Sequence, residues 1–166
     1  MKKVLLDATW NDEFYTPAYA IEPLLKYLDK SLIYWECTDF GESQITKVLK
    51  DNGFNIISTN IKDFDFFFHV PDFYYDVIIT NPPYSLKDEF IERCYFLKKP
   101  FALLLPITTL EGIKRGSMFR RWGIELLVFD KRINFMAEKK SNWFNTSWFC
   151  HQILPEKLMF EKIKGV

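Results

Sequence analysis

The apolar, β-branched run Val77-Ile78-Ile79-Thr80 stops at Asn81-Pro82-Pro83-Tyr84, and a helical pattern opens within a few residues. Each proline fixes φ near about −65° and lacks the N–H that a sheet ladder needs, so the strand must end there. A buried strand, a sharp break and a helix form the repeating unit of α/β folds with parallel sheets. That unit recurs along the chain.

Thr16-Pro17 reads as a helix start, with Thr as N-cap and Pro in the first turn. Ala18, Ile21, Leu24, Leu25 and Leu28 follow at helical spacing, and Pro23 should kink that helix. Leu32 to Cys37 and Phe54 to Ser58 read as strands. Between them a helix from Ser43 to Asp51 buries Ile45, Val48 and Leu49 and ends at Asn52-Gly53. Asp76 to Thr80 is the next strand. Ser85 and Asp88 have capping-box spacing, and the helix they open buries Phe90, Ile91, Cys94 and Leu97 before Pro100 ends it. Phe101 to Leu105 is a strand, and a helix from about Leu110 to Trp122 stops at Gly123. Ile124 to Phe129 and Ser147 to Leu154 are strands with no helical pattern between them, so they should pair antiparallel. The expected fold is α/β, one domain over residues 1–166, with a mostly parallel sheet and an antiparallel last strand.

Composition narrows the functional classes. The chain is 48% apolar and 18% aromatic, enough for a packed core. Its 22 basic and 22 acidic residues balance, which argues against a protein that coats nucleic acid by charge alone, though a local basic patch remains open. Cys37, Cys94 and Cys150 have no CxxC spacing and read as free thiols in a reducing compartment. Asp7 interrupts the apolar start too early for a signal peptide, and no run reaches the length of a membrane span. A cytoplasmic protein is expected. His69 and His151 stand far apart, and no cluster has metal-ligand spacing.

The tetrapeptide suits one kind of chemistry. A conjugated, planar –NH₂ group is a poor nucleophile because its lone pair is delocalised. Two rigid acceptors for its N–H groups draw the nitrogen toward tetrahedral geometry and free the lone pair. The Asn81 side-chain oxygen and the Pro82 carbonyl can be those acceptors, with Pro82 and Pro83 fixing their direction. Tyr84 can stack on a planar substrate. The plainer alternative is a strand stop, since proline pairs are common punctuation.

With these motifs the chain resembles the S-adenosylmethionine-dependent amino-methyltransferases, in particular small phage and bacterial adenine-specific DNA methyltransferases. Phe14-Tyr15-Thr16-Pro17 resembles the motif before the first helix that helps hold the methyl donor. Tyr34-Trp35-Glu36-Cys37, followed by Thr38 and Gly41, resembles the first strand and its glycine loop. Asn60 stands where the family's acidic partner meets the donor's ribose, and Asp65-Phe66 resembles the segment that meets its adenine. The resemblance implies a Rossmann-like methyltransferase sheet. It also implies S-adenosylmethionine as cofactor, a donor site at Tyr15, Thr16, Pro17, Glu36, Thr38, Gly41, Asn60, Asp65 and Phe66, and catalysis by Asn81, Pro82, Pro83 and Tyr84.

Two departures stand out. The family loop reads acid, three residues, Gly, one residue, Gly; counted from Glu36, those glycine positions hold Phe40 and Glu42. Either their side chains crowd the donor, or one inserted residue restores the turn around Gly41. The larger family members also carry a target-recognition domain that has no counterpart here; weak sequence specificity, a partner subunit or a second copy would each resolve this. The long connection from Asp130 to Thr146 offers Arg132, Phe135, Lys139, Lys140 and Trp143, basic and aromatic residues that suit a nucleic-acid strand; a solvated loop with aromatics tucked onto the core is the alternative. The expected substrate is adenine in DNA. RNA adenine, a glutamine side-chain amide, or a non-enzymatic binding protein on a degenerate methyltransferase scaffold are the competing expectations.

Overall fold

The computed structural model describes residues 16–41, 43–60, 62, 64–135 and 145–164. The ordered elements are α1 (Ala18–Leu25), β1 (Ile33–Glu36), α2 (Gln44–Asp51), β2 (Asn55–Ser58), β3 (Val77–Thr80), α3 (Lys87–Leu97), β4 (Phe101–Pro106), α4 (Ile113–Trp122), β5 (Glu125–Phe129), β6 (Thr146–His151) and β7 (Leu158–Glu161). Short 3₁₀ turns at Tyr84–Leu86 and Ile107–Leu110 precede α3 and α4.

All seven strands form one sheet in the order β2-β1-β3-β4-β6-β5-β7. β1, β2, β3 and β4 pair in parallel, as do β5 and β7, while β6 runs antiparallel to both β4 and β5. The expected antiparallel strand is therefore present, and it lies inside the sheet. One further short strand, β7, follows it on the edge beside β5. Its four residues, Leu-Met-Phe-Glu, are too few to show a clear period.

Alternation along the strands divides the core into two layers. Tyr34, Val77, Ile79, Ala102, Leu104, Trp148 and Cys150 face one side, where Ile21 and Leu24 of α1 and Ile45 and Leu49 of α2 cover them. Trp35, Ile78, Phe101, Leu103, Leu105 and Phe149 face the other, under Phe90, Ile91 and Cys94 of α3 and Met118 of α4. β3 and β4 are buried at every position, as doubly covered strands must be. Trp148 also donates its indole Nε1–H to the Ala20 carbonyl at 2.8 Å, which ties β6 to α1.

The connection from β2 to β3 contains no helix among its described residues. Aromatic packing holds it instead: Trp35 has Phe64, Phe66, Phe73 and Tyr75 within 5.5 Å between ring centroids, and its indole donates to Thr59 Oγ1 at 2.9 Å. Such contacts add about 0.5–1.5 kcal/mol each beyond area burial.

Helix starts differ from expectation in two places. Pro17, not Thr16, is the N-cap of α1, and no side chain caps it. α3 begins at Lys87 behind the 3₁₀ turn, with Leu86 as N-cap. Asp88 pairs with Arg115 of α4 at 2.5 Å. In both cases a tertiary partner won the polar side chain from the local cap.

All three cysteines are free and buried, and burial pushes their thiols up from the ordinary range, so they are unreactive packing groups. No helix among the described residues is long and apolar enough to cross a membrane.

Candidate functional site

β1 has β2 on one side and β3 on the other, so chain direction across the sheet reverses between β1 and β3. In open α/β sheets, ligands settle beyond the carboxyl ends of the strands at such a reversal. Here those ends carry Glu36-Cys37-Thr38 and Thr80-Asn81.

The loop after β1 is held from within. Asp39 Oδ1 accepts from the backbone N–H groups of Gly41 at 2.6 Å and Ser43 at 3.1 Å, and its Oδ2 accepts from the Thr46 hydroxyl at 3.0 Å. Gly41 sits at φ +106°, and a Cβ there would meet none of the described residues beyond its chain neighbours within 4 Å. Glycine is thus favoured by the backbone conformation. The chain turns at Gly41, with Asp39 holding the turn. Phe40 points to solvent, 42% exposed, and Glu42 lies outside the described residues.

Glu36 is the anchor beneath the loop. Its Oε1 accepts from the Thr38 N–H at 2.9 Å, the Thr38 hydroxyl at 3.1 Å and the Thr80 hydroxyl at 2.5 Å; its Oε2 accepts from Ser43 Oγ at 3.3 Å. The two threonine hydroxyls lie 2.5 Å apart. Three oxygens therefore stand in mutual hydrogen-bond reach, and two hydroxyl protons serve only two of the three contacts; a carboxyl proton would serve the third. Burial pushes the Glu36 carboxyl up to about 7 against the hydrogen bonds from Thr80 and Thr38, with Asp39 nearby adding to the rise.

Across the reversal, Asn81 Nδ2 donates to Thr16 Oγ1 at 2.9 Å. Thr16 is buried, 6% exposed, so the residue that was to cap α1 braces Asn81 instead. Nδ2 is committed to Thr16, and Oδ1, the acceptor end of the amide, is itself buried in this conformation. Pro82 and Pro83 are buried. Tyr84 is 8% exposed and belongs to the apolar layer under α3. Its ring packs in this conformation, so the expectation of a free stacking face is not met.

The remaining expected donor residues are spread. Asn60 Oδ1 accepts from the Lys62 N–H at 2.8 Å, and Asp65 Oδ1 from the Phe67 N–H at 2.9 Å, so both stabilise their own turns. Phe66 is 1% exposed and stacks on Phe90 with centroids 4.9 Å apart. It is a core side chain, and its ring is used up by packing. Tyr15 lies outside the described residues, as do Lys139, Lys140 and Trp143. Pro17 stands at the start of α1, next to Thr16.

A cleft of about 320 Å³ opens beyond β4 and β5, lined by Ile107, Phe129, Lys131, Arg132, Asn145 and Thr146 among others. Because Pro106, at the carboxyl end of β4, is paired with Thr146, this cleft lies at the same end of the sheet as Asn81. Arg132 is exposed on it, whereas Phe135 packs partly against the core. Strands are about 4.8 Å apart, so the β4–β5 cleft spans roughly 5–14 Å from β3. Sequence reasoning missed two supporting residues, Thr80 and Asp39. Thr80 is a lone polar residue closing an apolar strand, and that placement was the available signal.

No protein-family model and no curated protein matches the chain. Solved structures do resemble it. A modification subunit assigned to a type I restriction enzyme from Vibrio vulnificus YJ016 is 13% identical with a TM-score of 0.46; the alignment covers 96% of this chain and 49% of that one. This chain thus spans about half the length of that subunit. A protein from Pyrococcus horikoshii assigned as an RNA methyltransferase is also 13% identical with a TM-score of 0.46, over 90% of this chain and 96% of that one. At this level of likeness the chemistry has to be read from the chain's own residues.

Proposed function

We propose that the chain transfers a methyl group from S-adenosylmethionine to the exocyclic amino group of adenine in DNA. The observation that carries this reading is the brace from Thr16 Oγ1 to Asn81 Nδ2, made across 65 positions of sequence. An asparagine that merely ended a strand would need no buried partner from another element. The brace aims the amide at the head of a proline-stiffened turn, on the edge of the sheet where ligands bind.

The donor, when bound, supplies a methyl group on a cationic sulphur. The loop Thr38–Gly41 would hold it, and the turn at Gly41, fixed by Asp39, supports that reading. Thr16 and Pro17 would flank the donor from the start of α1. Asn60 and Asp65 would approach its ribose and adenine from the neighbouring loop. Asn81 Oδ1 and the Pro82 carbonyl accept the two N–H groups of the target. With both engaged, the nitrogen lone pair would face the donor's methyl carbon; as the N–C bond forms the S–C bond would break, leaving a neutral thioether, and the extra proton on nitrogen would pass to water. Tyr84 clamps the turn to the core. The base must leave its stack to reach this site. The exposed Arg132 and Lys131 at the cleft favour a polyanionic substrate over a free base.

Calorimetry with S-adenosylmethionine tests the class: no heat of binding at millimolar donor would leave only a non-enzymatic scaffold. Labelled methyl transfer to DNA, RNA and protein then identifies the acceptor. Asn81→Ala should lower transfer by on the order of a hundredfold or more while donor affinity holds. Full activity in that variant would remove Asn81 from the reaction.

A further inference from the structure

Thr80 immediately precedes Asn81 and is completely buried. Its hydroxyl donates to Glu36 Oε1 at 2.5 Å and stands 2.5 Å from the Thr38 hydroxyl. The same carboxyl group accepts from the Thr38 backbone and, through its other oxygen, from Ser43, the N-cap of α2. One buried group thus joins the end of β1, the loop that follows it, the start of α2 and the residue beside Asn81.

We propose that Thr80 is a positioning residue that keeps the donor loop and Asn81 in one fixed register. The inference rests on the reading of the Thr38–Gly41 loop as donor site and Asn81 as acceptor site. Methyl transfer needs its reacting atoms within about 3–3.5 Å and in line, and small displacements are costly. The two halves of the site hang from different strands, 44 positions apart in sequence. Backbone pairing in the sheet sets the strands but not the loops beyond them. The Thr80 hydroxyl, through Glu36, supplies the missing cross-tie. If Thr80 only filled space in β3, valine, which has the same shape, would serve as well.

The experiment compares Thr80→Val and Thr80→Ser with the wild type. Hydrogen exchange reads the backbone directly and needs no activity. Thr80→Val should speed exchange of the Thr38, Gly41 and Asn81 amides about tenfold, with α3 and α4 as protected as before, and Thr80→Ser should restore the wild-type pattern. In transfer assays Thr80→Val should weaken donor binding and lower kcat together, each by about tenfold, again with rescue by serine. Wild-type exchange and kinetics in Thr80→Val would overturn the proposal, and so would a serine variant as impaired as the valine one. Should Thr80→Val not fold, Thr80→Cys keeps serine's shape with only a weak donor, and it carries the same expectations as the valine variant. If the wild type neither binds donor nor transfers methyl groups, the enzymatic reading fails, while the exchange data still decide whether Thr80 holds the loop.

Discussion

Replacing Glu36 by glutamine should make the protein less sensitive to pH and more stable above neutrality. The carboxyl group is wholly buried, and burial outweighs the donors around it, raising it from 4.5 to about 7. An acid raised in the folded state keeps its proton longer there than in the unfolded chain. Its favourable contribution is complete below about 4.5 and is lost as pH rises toward 7. The loss accumulated over that window is on the order of 3 kcal/mol. Glutamine keeps one oxygen to accept from Thr38 and Thr80 and never ionises. Urea unfolding of wild type and Glu36→Gln at pH 4 to 8 isolates the effect, because the other carboxylates cancel in the difference. The variant should gain on the wild type between pH 4.5 and 7, and the difference should then level off. A flat difference, or a wild type that gains on the variant as pH rises, would show that the threonine and backbone donors outweigh burial and that Glu36 is ionised in the fold.

Two further outcomes follow from the same contacts. Thr16→Val removes the acceptor for Asn81 Nδ2 with little change of shape; kcat should fall about tenfold or more, and unchanged turnover would detach the brace from catalysis. Trp148→Phe removes the indole bond to Ala20 and leaves a gap between β6 and α1. It should cost about 2–4 kcal/mol in urea unfolding at constant m-value, and a loss under about 1 kcal/mol would mean the layer repacks.

Sequence alone determined the local pieces. Near-continuous apolar runs marked β3 and β4, and the lack of a helical pattern between the last two strands marked β6 as antiparallel. The start of α2 at Ser43 and the strand stop at the Pro pair follow from backbone chemistry that acts within a few residues. These features also carried the candidate chemistry, because Asn81 and the Pro82 carbonyl are neighbours in the chain. Tertiary structure decided what must be joined over distance. It inserted β6 between β4 and β5, where the run Thr146–Cys150 is buried on both faces. It turned Phe66, Phe135 and Tyr84 toward the core, because aromatic area is worth more there than at a site edge. It drew Thr16 to Asn81 and Thr80 to Glu36, pairs 65 and 44 positions apart. Periodicity reports which face a residue takes. Only the packed sheet reports which buried polar group it meets there, since each must find a partner that the fold, not the local sequence, brings within reach.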